Sequence, residues 1–282
     1  MKSVQGKNVL VTGAAMGMGR LFAERAIAEG AAHVVLWDLQ EERLNQTLAE
    51  LADAAAAHGV TLSGFIVDVS DLDDVKVSAD AVRADIGHVD VLVNNAGVVR
   101  GNTYFWESDS TKDTKLTVDV NTLAPMYVAR EFLPGMIANS ADCRVLNLSS
   151  AAGFTPNPRM AVYAASKWAV IGWSDSVRLE LKQAGIAHVM VTTVCPYYVN
   201  TGMFAGAKSA PLLPILEPDH VVDEAWKGML AGSPFVILPK TVVLSEVLKG
   251  LVPIGVRDFI ADNIIGVYHT MEDFTGRTES KA

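Results

Sequence analysis

Cysteine is almost absent from this 282-residue chain: there are two, Cys143 and Cys195, with no C-x-x-C spacing. That excludes a disulfide framework and a zinc ribbon. The six histidines are scattered and none forms an H-x-x-x-H pair, so no metal site is expected. A basic excess is missing too. Lysine and arginine number 23 against 32 aspartates and glutamates, a formal net charge of −9. That argues against a nucleic-acid surface. No apolar run reaches the roughly 18 residues of a membrane helix. The opening stretch MKSVQGKNVLVTGAA is too polar, and its apolar run too short, for a signal peptide. The expectation is a chain with no integral membrane segment, in a reducing, cytoplasmic setting. Linkers and low-complexity tracts are also lacking. Residues 1–282 read as one domain, less regular after about Tyr197.

What is present is a recurring unit. Short β-branched runs lie at Asn8–Gly13, His33–Asp38, Gly64–Val69, Val89–Gly97, Arg144–Ser150, His188–Pro196 and Phe235–Pro239. Near-continuous apolar strands imply burial on both faces, as in a parallel sheet. The segments between them read as helices. Leu44, Leu48 and Leu51 form one apolar stripe, and Gly59 ends that helix. Gly30 and Gly185 repeat the device before later strands. Strand and helix alternating about seven times predict an α/β fold, a doubly wound parallel sheet with helices on both faces.

The first strand runs straight into TGAAMGMGR, with Gly13, Met16, Gly17, Met18 and Gly19. A turn free of side chains lets backbone approach a pyrophosphate. The following helix N-terminus offers free N–H groups and a positive dipole end. Asp38 ends the second strand, 19 residues past Gly19. A carboxylate there can accept from ribose hydroxyls. Its neighbours Leu39 and Gln40 are not basic, and neither is Met16, so a 2′-phosphate finds no counter-charge. NAD is expected ahead of NADP. Asp68 and Val69 end the third strand, where they would meet the adenine. Asn95, Ala96 and Gly97 of NNAG would shape the floor of the cofactor site.

In VYAASKWAV, Tyr163 and Lys167 stand four apart, on one face of a helix. Ser149 and Ser150 end the fifth strand, and Asn121 lies on the helical segment before it. With TGAAMGMG, NNAG, Asn121, Ser150 and YAASK in this order, the chain resembles the short-chain dehydrogenase/reductase family over essentially its whole length. The resemblance implies a catalytic set of Asn121, Ser150, Tyr163 and Lys167. Ser150 is the matching serine, 13 residues before Tyr163, and adjacent strand residues face opposite ways. Tyr163 would be the general acid/base. Lys167, with the nicotinamide's charge, would lower the phenol's pKa, and it would hold the nicotinamide ribose. Ser150 would hydrogen-bond the substrate oxygen, and Asn121 would anchor a water leading from Lys167 to solvent.

After the sixth strand the family usually has Pro-Gly; here Pro196 is followed by Tyr197. Glycine permits backbone geometries that tyrosine resists, so a differently shaped loop is expected. Val199 and Thr201 match positions that contact the carboxamide and phosphates. This variant resembles the retinol, long-chain alcohol and 17β-hydroxysteroid dehydrogenase branch. That branch carries an N-terminal membrane anchor, which is not expected here. Met203, Phe204, Leu212, Leu213, Ile215 and Leu216 suggest an apolar lid. Residues 197–282 would supply that lid and the pocket, with Ser150, Tyr197, Met203 and Phe204 against a hydrophobic alcohol or ketone. The apolar segment Thr241–Tyr268 reads as a pocket wall, a subunit contact or a shallow membrane contact. Ala164, Ala165, Ala169 and Gly172 would let helices meet closely, and a homodimer or homotetramer is expected. The expected activity is hydride transfer between NAD(H) and such an alcohol. The alternatives are an NADPH-preferring carbonyl reductase and a non-catalytic dinucleotide sensor.

Overall fold

The computed structural model describes residues 1–211 and 213–276. Leu212, named above, lies outside the described residues. Seven strands form one sheet: β1 (Asn8–Thr12), β2 (His33–Asp38), β3 (Thr61–Ile66), β4 (Val91–Asn94), β5 (Cys143–Leu148), β6 (Val189–Pro196) and β7 (Phe235–Leu238). Their order is β3-β2-β1-β4-β5-β6-β7, and every pairing is parallel. All strands therefore end at one edge, and the order reverses between β1 and β4, where such sheets open a crevice.

Side-chain alternation builds a core on each face. Val9 and Val11 of β1 pack with Phe22 and Ile27 of α1 (Gly17–Ala28), Leu44 and Leu51 of α2 (Glu41–Ala57), and Trp226 of α7 (Pro218–Ala231). Leu10, between them, packs on the other face. Its cluster holds Val75 and Val82 of α3 (Leu72–Ile86), Phe132 of α5 (Ala124–Ala138) and Leu181 of α6 (Ala161–Gln183). A shift of one residue would exchange the two layers. Beneath the crevice a buried polar ladder ties β4, β5, α6 and β6 together. Asn94 Nδ2 donates to Asn147 Oδ1, Asn147 Nδ2 donates to Ser174 Oγ, and Ser174 meets Thr193, all within 2.9 Å.

Three expectations change. The third strand is Thr61–Ile66, not Gly64–Val69, because β2 sets its length: Ile66 pairs with Asp38, the last residue of β2. Asp68 and Val69 thus lie in the turn beyond it. Burial on both faces fails for β3 and most of β7, which are the sheet edges. And the C-terminal part is more regular than expected. After an irregular stretch, α7 and β7 extend the sheet layer, followed by α8 (Thr241–Leu251) and α9 (Ile254–Phe259). Among the described residues, no helix is long and apolar enough to cross a membrane.

Candidate active site and dinucleotide cleft

A cleft of about 300 Å³ lies at the C-terminal ends of β1, β2, β4, β5 and β6. Gly13, Met16, Gly17 and Met18 line it. Gly13 and Gly17 have φ of +62° and +57°, where an L side chain is strained. Gly19 does not line the cleft; it is buried where α1 crosses the turn. A Cβ there would lie 2.0 Å from the Gly13 carbonyl oxygen. The start of α1 has no side-chain cap, so its N–H groups are left for a ligand. A Cβ at Gly17 would be 3.7 Å from Thr201 Cβ, which sets Thr201 across from the turn. This cradle, which side chains would fill, fits a dinucleotide pyrophosphate.

Asp38 is buried and tied to the turn. Its Oδ2 accepts from Ala15 N at 2.9 Å, and its Oδ1 accepts from Gln40 N at 3.0 Å. Its remaining lone pairs face the cleft with Leu39, Asp68 and Val69. Asp68 Oδ1 accepts from Ser70 N and Oγ, which holds the turn after β3. Asn95, Ala96 and Gly97 form the floor. Asn95 Nδ2 donates to Thr12 O and Gly13 O, both at 3.0 Å, and Thr12 Oγ1 accepts from Asn95 N and Ala96 N. The ends of β1 and β4 thus act as one piece.

α6 carries Tyr163 and Lys167, both buried, one above the other. Lys167 Nζ lies 5.7 Å from the Tyr163 ring centroid and donates to Leu148 O at 3.0 Å. Burial pushes the Tyr163 phenol well above its ordinary value, opposed by a weaker interaction with the nearby Ser150 hydroxyl. Burial also lowers Lys167, to about 8. The expected lowering of the phenol by its lysine is not seen here: burial shifts both groups toward their neutral forms.

Ser150 caps a short turn, with Oγ accepting from Ala152 N at 3.1 Å and donating to Pro196 O at 3.3 Å. Ser149 points the other way and donates to Lys167 O. Asn121 sits in a π-type turn, Asp119–Leu123, between α4 (Leu116–Val118) and α5. The wider turn aims its amide at Val98, which it meets through both N and O, and at Ser166 Oγ. The side chain is thus committed to protein partners. Gly97 brings the set together, since a Cβ there would stand 3.3 Å from Asn121 Oδ1 and 3.7 Å from Lys167 Nζ.

Pro196, Val199, Met203 and Phe204 complete the cleft. Phe204 meets the Tyr163 ring edge-on at 6.0 Å. Tyr197 needs no glycine geometry. Among the described residues, Arg159 is the one non-glycine with a left-handed φ, and Tyr197 N donates to Leu238 O at 2.7 Å. Tyr197 thus takes an ordinary backbone conformation, and its ring is buried at the edge of the cleft. A second cavity of about 240 Å³ adjoins the cleft, and Ser150 and Tyr197 border both. Met160, Leu213, Val242, Val252, Ile260 and Ile265 make it apolar. Much of Thr241–Tyr268 is therefore pocket wall. Met203 and Phe204 line the cleft and not this cavity, Leu216 is buried against Val199, and Ile215 is partly exposed.

The model of the short chain dehydrogenase family matches residues 7–211. The chain belongs to this family. Epidermal retinol dehydrogenase 2 of Mus musculus is 37% identical over 283 residues, covering 98% of this chain and 87% of that protein. Estradiol 17-beta-dehydrogenase 11 of Homo sapiens is 36% identical over 254 residues, 89% of this chain and 81% of that one. A Burkholderia phymatum short chain dehydrogenase/reductase, solved with NAD, superposes with a TM-score of 0.78 at 26% identity, covering 89% and 95% of the two chains. A metagenomic short-chain oxidoreductase solved with NADP gives 0.68 at 31% identity, covering 83% and 96%. The dehydrogenase is thus an oxidoreductase of CH–OH groups and carbonyls that uses a nicotinamide dinucleotide.

Some of this dehydrogenase's site was not read from sequence. Leu148 holds Lys167 through a backbone carbonyl, which leaves no trace in residue type. Ser166 links Asn121 to α6 and donates to Tyr163 O; its place beside Lys167 was the available signal. Arg100 also lines the cleft, and nothing in its spacing marked it.

Proposed function

We propose that the chain transfers a hydride between NAD(H) and a hydrophobic, secondary or bulky alcohol or its ketone. The observation that carries this is the apolar cavity that meets the cleft at Ser150, beside Tyr163 and Lys167. The names of the retinol and estradiol dehydrogenase relatives support a lipophilic alcohol. A nicotinamide dinucleotide held in the cleft would supply the hydride acceptor or donor and, when oxidised, a positive charge. Tyr163 takes or gives the alcohol proton, Ser150 holds the alcohol oxygen, and Lys167 holds the ribose. Asn121 fixes the Gly97–Val98 exit against α6. Asp38 supports NAD, since it is a buried carboxylate where a 2′-phosphate would add like charge. The NADP-bound neighbour is the observation that favours the second reading, an NADPH-preferring reductase.

The exposed Ala165, Trp168, Ala169 and Gly172 of α6 support a homodimer or homotetramer, although Ala164 is buried within the subunit. Both cysteines are unpaired and buried, and burial holds their thiols up, at about 11 for Cys143 and about 12 for Cys195. That suits a reducing, cytoplasmic location.

The test follows absorbance at 340 nm with NAD and NADP in parallel against steroid, retinoid, aryl and long-chain alcohols. Tyr163→Phe is expected to cut turnover by about 10²–10⁴ and to weaken dinucleotide binding far less. Tight dinucleotide binding with no turnover of any alcohol would replace this reading with the sensor.

A further inference from the structure

The loop between β6 and α7 is stitched to the C-terminal segment. Ala205 O accepts from Thr275 N at 3.0 Å, from Gly276 N at 3.1 Å and from Thr275 Oγ1 at 3.2 Å. Lys208 N donates to Thr270 O at 2.9 Å, and the Lys208 ammonium pairs with Asp273. Gly206 lies between these fastenings with a φ of +82°, and a Cβ there would stand 2.2 Å from Asp273 O. Met271 is fully buried, and its carbonyl accepts from Asn102 Nδ2 at 3.2 Å. Thr270–Gly276, which is neither helix nor strand, is thus a strap fastened to the loops after β4 and β6. Each such hydrogen bond contributes about 0.5–1.5 kcal/mol, and together they set where the loop stands.

What the strap sets in place is Phe204, the neighbour of Ala205. The Phe204 ring meets Tyr163 edge-on with centroids 6.0 Å apart, and it packs on Tyr198 at 5.0 Å. Both separations are those of aromatic rings in contact. Phe204 lines the cleft and not the apolar cavity, whereas Tyr198 lines the cavity and not the cleft. The two sides of the reacting position therefore differ. Beyond Ser150 and Tyr197 lie about 240 Å³ of apolar space. On the side of Phe204, the space beside Tyr163 is taken by a ring.

We infer that Phe204, held by the strap, closes one side of the reacting carbon, so that the enzyme takes alcohols with one bulky hydrophobic substituent and one no larger than methyl. The inference rests on the proposed function and narrows its substrate class. The bulky substituent lies in the apolar cavity, and Phe204 is a specificity residue. Gly206 touches no substrate and is a positioning residue. A side chain there meets the strap at Asp273 O, and the positive φ strains it besides, so loop and strap must part.

The test keeps one polycyclic substituent constant and enlarges the other from methyl through propyl to cyclohexyl. In the wild-type enzyme kcat/KM is expected to fall about tenfold or more along the series, since even one excess methylene in a filled pocket costs about that much. Phe204→Ala should remove most of the fall. Gly206→Ala should do the same from outside the site, and the double variant should go no further than either alone, because both act through one ring. Calorimetry checks that the variants are folded. A wild-type enzyme as efficient with cyclohexyl as with methyl overturns the inference, and so does a fall that survives Phe204→Ala. A fall that Phe204→Ala removes and Gly206→Ala leaves intact overturns the part given to the strap. Turnover of none of these alcohols removes the proposed function, and this inference with it; turnover indifferent to the second substituent removes the inference alone.

Discussion

Gly19→Ala tests the idea that close approach, more than backbone freedom, explains the third glycine of the turn. A methyl at Gly19 would lie 2.0 Å from the Gly13 carbonyl oxygen and 2.6 Å from Asn95 Nδ2. An added Cβ has no rotamer by which to escape, and its nearest neighbour is backbone. α1 must therefore retreat from the end of β1. Such overpacking costs about 1–3 kcal/mol. The two Asn95 bonds to Thr12 O and Gly13 O are strained with it, at about 0.5–1.5 kcal/mol each. Alanine's better helix propensity offsets at most about 1 kcal/mol. The net expectation is a loss of about 2–4 kcal/mol, or about 4–8 °C in Tm for a chain of this size. Displacing the cradle should also raise the dinucleotide Kd about tenfold or more, equivalent to about 1.4 kcal/mol. Calorimetry and titration with NAD and NADP measure both. Gly17→Ala is the companion variant. It has room, with Thr201 Cβ at 3.7 Å, but a φ of +57°, so strain alone costs it about 1–2 kcal/mol. A Gly19→Ala enzyme with wild-type Tm and wild-type Kd would refute the argument, as would a larger loss from Gly17→Ala.

Asp38→Asn keeps the size of the side chain and removes its charge. It should raise the ratio of kcat/KM for NADP over NAD at least about tenfold, since like charges a few ångströms apart cost several kcal/mol in a partly buried site; an unchanged ratio means that Asp38 does not face the 2′ position. Lys167→Met tests the buried ammonium. Burial holds Lys167 at about 8 against an ordinary 10.5, so between those values the unfolded chain binds more protons. Wild-type stability should therefore rise with pH across about 8 to 10.5 and fall away toward 8, by about 3 kcal/mol over the full span. Urea unfolding of Lys167→Met, compared with wild type at pH 8 and 10, should lack most of that rise; parallel pH curves for the two proteins would sink the reading.

Much of this protein was legible in one dimension because its signals are local. Strand and helix alternate with distinct periods, and the glycines of the turn stand directly between the first strand and its helix. Tyr163 and Lys167 share a helix face by spacing alone. Parallel strands then bring Gly13, Asp38, Asn95 and Ser150 to one edge, whatever the details of packing. What needed the tertiary structure was set between distant segments. β3 stops at Ile66 because β2 stops at Asp38. The phenol of Tyr163 is raised because the fold closes over it, an effect of burial that a neighbouring lysine in the sequence does not reveal. Lys167 is held by a carbonyl of Leu148, and every residue has one of those. The apolar cavity is lined by Ser150, Asn157, Tyr197 and Val242, which only packing makes neighbours. Periodicity and turn chemistry act over a few residues, so sequence reports them. Burial and hydrogen-bond satisfaction depend on which chain segments meet, and that is decided in three dimensions.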